Sequence, residues 1–302
     1  MEQQVIERGE GETQEKRAFW PGLRRFVRQQ PLGTIGGVIV LLLILTAIFA
    51  PWLAPYGPKK AEFEAYLPPS RDFPMGTDHL GRDILSRVIW GARLSLYVGL
   101  TSVSLGLTIG ALWGIIAAYF GGLTDALSQR IVDTLMAFPP IILALGLMAA
   151  LGQSVNNVII ALTILLIPTA ARTLRSTTLS IKEMGYVESA RAAGSSHWRI
   201  IFCHILPNSL APYIVLFTVN IAYAIVVEAA LSFLGLGAPP DEPSWGGMLT
   251  AAADTLERAP WIAFFPGTAI SLVVFGLNLL GDAIRDVVDP RLRGQGAYRE
   301  KK

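Results

Sequence analysis

The chain has 302 residues, of which 52% are hydrophobic and only 16% charged, with a mean hydropathy of +0.47 and a net charge of +2. Soluble domains carry about 25% charged residues, so this shortage indicates a chain that folds largely in an apolar solvent. The scattered basic residues argue against a nucleic-acid interface, and the single cysteine, Cys203, excludes an internal disulfide framework.

The beginning of the chain predicts a solvated tail, one span and a long polar loop. Residues 1–31 mix arginines and glutamates, whereas residues 32–50 are uncharged and about as long as a bilayer core requires. That run lacks a cleavage pattern, so we interpret it as a retained span. Residues 51–93 form an outer loop whose second half has apolar side chains at helical spacing, which predicts a helix lying along the membrane interface.

The remaining spans are predicted within residues 94–284. Residues 94–124 contain no charged side chain, and their glycines would let helices approach closely. Residues 134–171 are uncharged for 38 positions, about 57 Å if helical, so they must cross twice, with a hairpin at 152–157. The later elements are a fifth span over 206–227, an outer loop over 238–260, a sixth span over 261–281 and a tail over 285–302.

Charge distribution predicts how these spans are oriented. Six spans place both termini on one side of the membrane, and 18 Lys and Arg residues fall on that side against 7 on the other. The positive-inside rule therefore places both termini in the cytoplasm and the loops 51–93 and 238–260 outside. The prediction is an all-α polytopic protein of six transmembrane helices, embedded in membrane lipid.

The polar segment before the fifth span, residues 185–207, is amphipathic. Small and charged residues come first, and Trp198, Ile200 and Phe202 follow. Gly194 is suited to end one short helix, and Ser195 or Ser196 is suited to cap a second. Pro207 fits the first turn of the next helix. The segment is either a surface offered to a partner protein or an ordinary amphipathic loop on lipid headgroups.

The sequence lacks the patterns of common catalytic and cofactor sites. No phosphate-binding G-x-x-x-x-G-K-[ST], H-E-x-x-H or G-x-S-x-G occurs, so we predict neither an enzyme nor a cofactor bound by this chain. Asp78, His79 and Asp83 could be read as metal ligands. Because arginines stand nearby to pair with these carboxylates, we predict no metal site.

Glu228 is the exceptional charge near the spans. A carboxylate deep in a bilayer costs about 2–4 kcal/mol, so it should face a cavity or lie at the outer rim. It would pair with an arginine of the outer loop or cap a turn, or else line a translocation path or outer gate together with Asn220. Asn220 and Asn278 are otherwise interpreted as hydrogen-bonding between helices.

Several short blocks resemble a known family. Glu188-Ser189-Ala190, Gly194 and Leu206-Pro207 resemble the E-A-A…G…L-P signature of the membrane subunits of ABC importers. Ser189 replaces an alanine and His204 an isoleucine of that pattern. Five further blocks are similar to the second permease subunit of dipeptide, oligopeptide and nickel importers: GTDxxGRD at 76–83, HILPN at 204–208, LSFLGLG at 231–237, PSWG at 243–246, and NLLGD at 278–282 with DPR at 289–291.

The resemblance implies a type I ABC importer permease architecture in a bacterial or archaeal cytoplasmic membrane. Such a subunit forms half of a pathway for peptides and pairs with a homologous second permease. Two cytoplasmic ATPase subunits would bind ATP and Mg, and an extracytoplasmic solute-binding protein would deliver the substrate. The coupling helix, about residues 186–207, would contact the ATPase through Glu188, Ser189, Ala190, Arg191, Gly194, Ser195, Leu206 and Pro207.

Within the resemblance, Glu188 would contact the ATPase or cap the first short helix, Gly194 would set the bend, and Pro207 would fix the entry into the fifth span. Other substrates of the same importer class stay open: nickel, glutathione or an oligosaccharide. Two other classes also stay open, a self-contained secondary transporter or channel and a membrane scaffold or sensor.

Overall fold

The computed structural model describes residues 26–288. The predictions for residues 1–25 and 289–302 lie outside this range. Within it, the chain is built from helices, and two isolated β-bridges occur in the outer loop. The helices in chain order are α1 (Pro31–Ile48), α2 (Ala50–Leu53), α3 (Ile84–Phe120), α4 (Gly122–Met136), α5 (Pro140–Leu151), α6 (Val155–Ile181), α7 (Gly185–Ala192), α8 (His197–Ile200), α9 (Leu206–Asn208), α10 (Leu210–Phe233), α11 (Trp245–Ala253) and α12 (Trp261–Val288).

Five helices, α1, α3, α6, α10 and α12, are long and apolar enough to cross a membrane. Helices α4 and α5 pass the same test only as a pair bent by 88°, so the described chain has five spans, or six if this pair is one. The all-α polytopic prediction is confirmed. The last two spans are longer than predicted: α10 continues past residue 227, and α12 continues past residue 281 into the segment assigned to the tail.

Helix α3 differs from the prediction of an interfacial helix followed by a separate span. It is one helix of 37 residues, about 55 Å long, that begins at Ile84. The Asp83 carboxylate caps it by accepting hydrogen bonds from the backbone N–H and the hydroxyl of Ser86, at 2.8 and 2.6 Å. The residues predicted to lie along the interface are buried instead: Ile84 is 0% and Arg87 3% exposed.

Helices α3 and α6 pack against each other along a seam of small residues. A Cβ atom added to Gly106 would lie 2.8 Å from the carbonyl oxygen of Thr163, and one added to Gly114 would overlap the carbonyl of Ala171. Leu107 and Leu166 are buried in the same interface. The glycines therefore serve the close approach that the sequence predicted, and the partner is α6.

The third span is broken rather than straight. Because Pro139 and Pro140 follow each other, α4 ends at Met136 and α5 restarts at Pro140, with only 12 residues, about 18 Å. Two ion pairs hold α4 against α6. Arg175 binds Asp125 through two hydrogen bonds of 2.6 Å, and Arg172 binds Asp133 at 2.5 Å. The predicted hairpin follows α5, where Gly152 has a φ of +84°.

The second outer loop contains a helix that was not predicted. The hydroxyl of Ser244 accepts from the backbone N–H of Gly247 and so caps α11. Trp245 is 2% exposed, and its indole N–H donates to the carbonyl of Val88 at 3.0 Å. The ring also lies where a side chain at Gly91 would be. Helix α11 is thereby anchored to the beginning of α3.

Candidate functional site

The amphipathic segment, residues 185–207, folds as two short helices joined by a turn. Gly194 adopts a φ of +78° after α7, a conformation that favours glycine, and nothing lies within 4 Å of a Cβ built there. The hydroxyl of Ser196 accepts from the backbone N–H of Arg199 and caps α8. Of the two serines proposed as caps, Ser196 has this role, and the backbone N–H of Ser195 closes the turn onto Ala190.

After α8, the segment makes one wide turn over Ile201–Ile205, in which the N–H of Leu206 reaches the carbonyl of Ile201. Pro207 follows in the first turn of α9, where its missing N–H costs little. The predicted entry into the fifth span is therefore a short helix, α9, and α10 itself begins at Leu210.

The amphipathic segment has one buried face. Val187, Ile200 and Ile205 are each 0% exposed and pack against Ile115 of α3 and Leu174 of α6. Burial of several aliphatic side chains at about 1.5–3 kcal/mol each holds the segment firmly on these helices.

The other face is exposed and carries the residues named from the sequence. Glu188, Ser189, Arg191, Gly194 and Pro207 are exposed, while Ala190, Ser195 and Leu206 are half-buried. Large apolar side chains join them: Tyr186, Trp198 and Phe202 are 42%, 54% and 53% exposed. Trp198 and Phe202 stack with ring centroids 6.1 Å apart.

Glu188 does not cap α7. The N-cap residue is Met184, without a side-chain cap, and within residues 26–288 the Glu188 carboxylate forms no hydrogen bond or ion pair. Ser189 is occupied locally, because its hydroxyl donates to the carbonyl of Gly185 at 2.8 Å. Of the two roles expected for Glu188, capping is therefore not seen among the described residues, and contact with an ATPase stays a prediction.

One polar contact of the amphipathic segment was not predicted from the sequence. The hydroxyl of Tyr119, near the end of α3, lies 2.9 Å from Nδ1 of His197. The two rings also meet edge to face, with centroids 5.7 Å apart. The residues are 78 positions apart, and no local spacing could signal their contact.

The expected pairing of Glu228 with an arginine of the outer loop is wrong, because its partners are two serines. Glu228 lies within α10, is 1% exposed, and accepts hydrogen bonds from the hydroxyls of Ser232 at 2.8 Å and Ser95 at 3.4 Å. Asn220 and Asn278 were expected to bond between helices. Their amides instead donate to carbonyls of their own helices, at Leu216 and Val274.

The outer loop packs around a buried group of charges at the opposite end of α3. Asp78 binds Arg82 at 2.7 Å and lies 3.8 Å from Arg87, so its carboxylate is paired with arginines, as the sequence indicated. Among residues 26–288 no cluster of three or more side chains suited to a metal ion is found. A cavity of about 260 Å³ lies between this group and α11.

A surface ion pair joins the two outer loops. The Lys59 ammonium donates to Glu242 at 2.8 Å, and this hydrogen bond raises the pKa of Lys59 above its ordinary value. Both side chains are more than a third exposed, so the pair adds little stability.

Two families of membrane transport proteins match the sequence of this chain. The family described as binding-protein-dependent transport system inner membrane component matches residues 110–294. The N-terminal transmembrane domain of oligopeptide transport permease C matches residues 19–69.

Individual relatives match over most of their length. A peptide transport system permease protein of Brucella suis is 46% identical, covering 90% of this chain and 92% of that protein. The glutathione transport permease GsiD of Pectobacterium atrosepticum is 44% identical (92% and 91%), and the dipeptide transport permease DppC of Alkalihalophilus pseudofirmus is 42% identical (91% and 90%).

Among solved structures, the inward-facing MetNI methionine ABC transporter is similar in fold. The TM-score is 0.56 at 20% identity, and the match covers 67% of this chain and 96% of that chain. At this identity the likeness concerns the arrangement of the helices alone.

Proposed function

Because this chain belongs to the family of binding-protein-dependent transport system inner membrane components, we propose that it forms half of the pathway of an ATP-driven importer of peptides. The other half is a homologous second permease. Two cytoplasmic ATPase subunits bind and hydrolyse ATP with Mg, and an extracytoplasmic solute-binding protein delivers the peptide. The chain itself binds no cofactor and is not catalytic.

The observation that carries the proposal is the two-faced amphipathic segment. One face is fixed to α3 and α6, and the other presents Glu188, Arg191 and Trp198 without covering them. A segment built in this way can receive a push from a docked ATPase and pass it to the spans as a rigid-body movement. The same role assigns Gly194 to the bend and Pro207 to the entry into α10.

The proposal includes an orientation. The amphipathic segment and both termini lie in the cytoplasm of a bacterial or archaeal cell, as the excess of Lys and Arg on that side favours. The outer loops and α11 then lie outside, where a solute-binding protein would dock.

Peptides are the proposed substrate because relatives matching nine-tenths of the chain are named for transport of peptides and dipeptides. Glutathione, for which another such relative is named, nickel and oligosaccharides are the alternatives within the same importer class. Substrate choice rests mainly with the binding protein.

The test is purification of the tagged full-length chain from its own membranes, followed by reconstitution of the purified complex into vesicles. We expect an ATPase and a second permease to co-purify, and we expect uptake of a labelled dipeptide that requires ATP and the binding protein. Labelled glutathione and nickel ions are tested in parallel. Consistent absence of an ATPase, with uptake driven by an ion gradient, would support a secondary transporter instead.

A further inference from the structure

The contact between Tyr119 and His197 links the amphipathic segment to helix α3. Within residues 26–288, no other side-chain hydrogen bond joins the amphipathic segment to a membrane-spanning helix. The other side-chain hydrogen bonds of the segment connect residues three or four positions apart. The buried face contributes apolar contacts, which are non-directional and permit sliding. A hydrogen bond of 2.9 Å between two side chains fixes the register of α8 on α3.

The end of α3 is held from two sides. Tyr119 is only 8% exposed, and the Lys182 ammonium donates to the carbonyl of the preceding residue, Ala118, at 3.3 Å. Phe120 packs against His197 and Trp198, with ring centroids 5.8 and 6.3 Å apart. A displacement of α8 is therefore imposed on the last turn of α3.

Helix α3 is suited to carry such a displacement over its whole length. It has no proline and no break over 37 residues, whereas α6 and α12 contain Pro168 and Pro266, and the third span is bent. Kinks arise at such prolines and breaks. An unbroken helix of this kind can move as one rod of about 55 Å.

The far end of this rod is tied to the outer elements. Ser95 donates to Glu228 of α10 at 3.4 Å, and the carbonyl of Val88 accepts from Trp245 of α11 at 3.0 Å. Ser232, which donates to Glu228, also accepts from the backbone N–H of Ala238 in the lead-in to α11. Both α10 and the outer segment thus follow the position of α3.

We propose that His197 and Tyr119 are positioning residues that transmit movement of the amphipathic segment along α3 to the outer end of the pathway. This proposal rests on the proposed importer function. Breaking the hydrogen bond should leave the ATPase docked and hydrolysing ATP, while less of that hydrolysis is converted into transport.

The test uses the complete reconstituted complex and measures peptide uptake and ATP hydrolysis in the same vesicles. Tyr119→Phe keeps the ring contacts and removes only the hydroxyl, and His197→Leu removes the nitrogen. His197→Asn is the matched control, because its amide can reach the Nδ1 position. We expect peptide transported per ATP to fall about fivefold in Tyr119→Phe and His197→Leu, as loss of one hydrogen bond suggests, and to be retained in His197→Asn.

The outcomes separate this proposal from the proposed function. If the unaltered complex shows no ATP-dependent uptake, the importer function fails. If that complex transports and both Tyr119→Phe and His197→Leu keep its transport per ATP, the transmission role is overturned. A loss of complex yield with an unchanged ratio shows a purely structural contact and overturns the role as well.

Discussion

At the scale of single residues, Gly194 shows how one backbone angle shapes the site. Its φ of +78° turns the chain between α7 and α8, and no neighbour would obstruct a side chain there. The constraint is therefore conformational and not steric. For residues other than glycine and asparagine this region costs about 1–2 kcal/mol, and the cost is greater for a β-branched side chain.

We predict that Gly194→Val abolishes uptake while the subunit still reaches the membrane. Valine would pull the turn toward an extended conformation and tilt α7 away from its docking angle. Uptake should fall at least tenfold, measured against subunit abundance in membranes. Gly194→Asn is the control and should keep most uptake, because asparagine tolerates a positive φ. Normal uptake in Gly194→Val would contradict a coupling role for the bend.

Glu228 leads to a second prediction at this scale. Glu228→Ala removes the acceptor of the buried Ser232 and Ser95 hydroxyls and should destabilise the subunit by about 1–3 kcal/mol. Glu228→Gln keeps an acceptor of the same shape and should be much closer to the unaltered protein. The measurement is thermal unfolding in detergent. A stable Glu228→Ala subunit that has lost uptake would instead support the pathway role considered for Glu228.

At the scale of elements, hydropathy found the spans but not their ends. The limits of α3 depend on Asp83 and on burial of Arg87 under the outer loop, and burial is a tertiary feature that hydropathy does not report. The signals that could have helped were local: Asp83 three residues before Ser86, and the pair Pro139-Pro140 inside a long apolar run. Helix α11 was missed because it is only nine residues long, contains two adjacent glycines, and lies between prolines and acidic residues.

The close packing of α3 and α6 at their glycines can be tested with a pair of Gly→Ala variants, one inside this contact and one outside it. A methyl group at Gly114 would overlap the carbonyl of Ala171, so Gly114→Ala must push the helices apart at a cost of about 1–3 kcal/mol. Gly146→Ala, in α5, meets nothing within 4 Å and should leave stability unchanged or slightly raised. Thermal unfolding of both variants measures the difference. Equal stability would show that the seam tolerates separation.

At the scale of the whole molecule, the structure assigns different chemistry to the two ends of α3. One end meets the amphipathic segment, with its exposed Glu188 and Trp198, and the other meets the outer loop with its buried Asp78 and Arg82. The charge count predicts, from the sequence alone, on which side of the membrane each end lies. The Tyr119–His197 contact could not be found in this way, since folding alone brings these residues together.

The predicted orientation in the membrane can be tested by chemical labelling of a natural cysteine. Cys203 is the single cysteine and is exposed on the amphipathic segment. A membrane-impermeant maleimide should therefore label it in inside-out vesicles and not in intact cells stripped of their outer barrier. Docked ATPase subunits should slow this labelling, because they would cover the same face.

The matched control for orientation is Glu257→Cys in a Cys203→Ser background. Glu257 is exposed and lies just beyond α11, so this variant should be labelled from the outside only. Both patterns follow from one arrangement of the charges, because moving the arginine-rich side across the bilayer is disfavoured. Labelling of Cys203 from outside, together with labelling of the Glu257→Cys variant from inside, would show that the topology is the opposite of the predicted one. The amphipathic segment would then lie out of reach of a cytoplasmic ATPase.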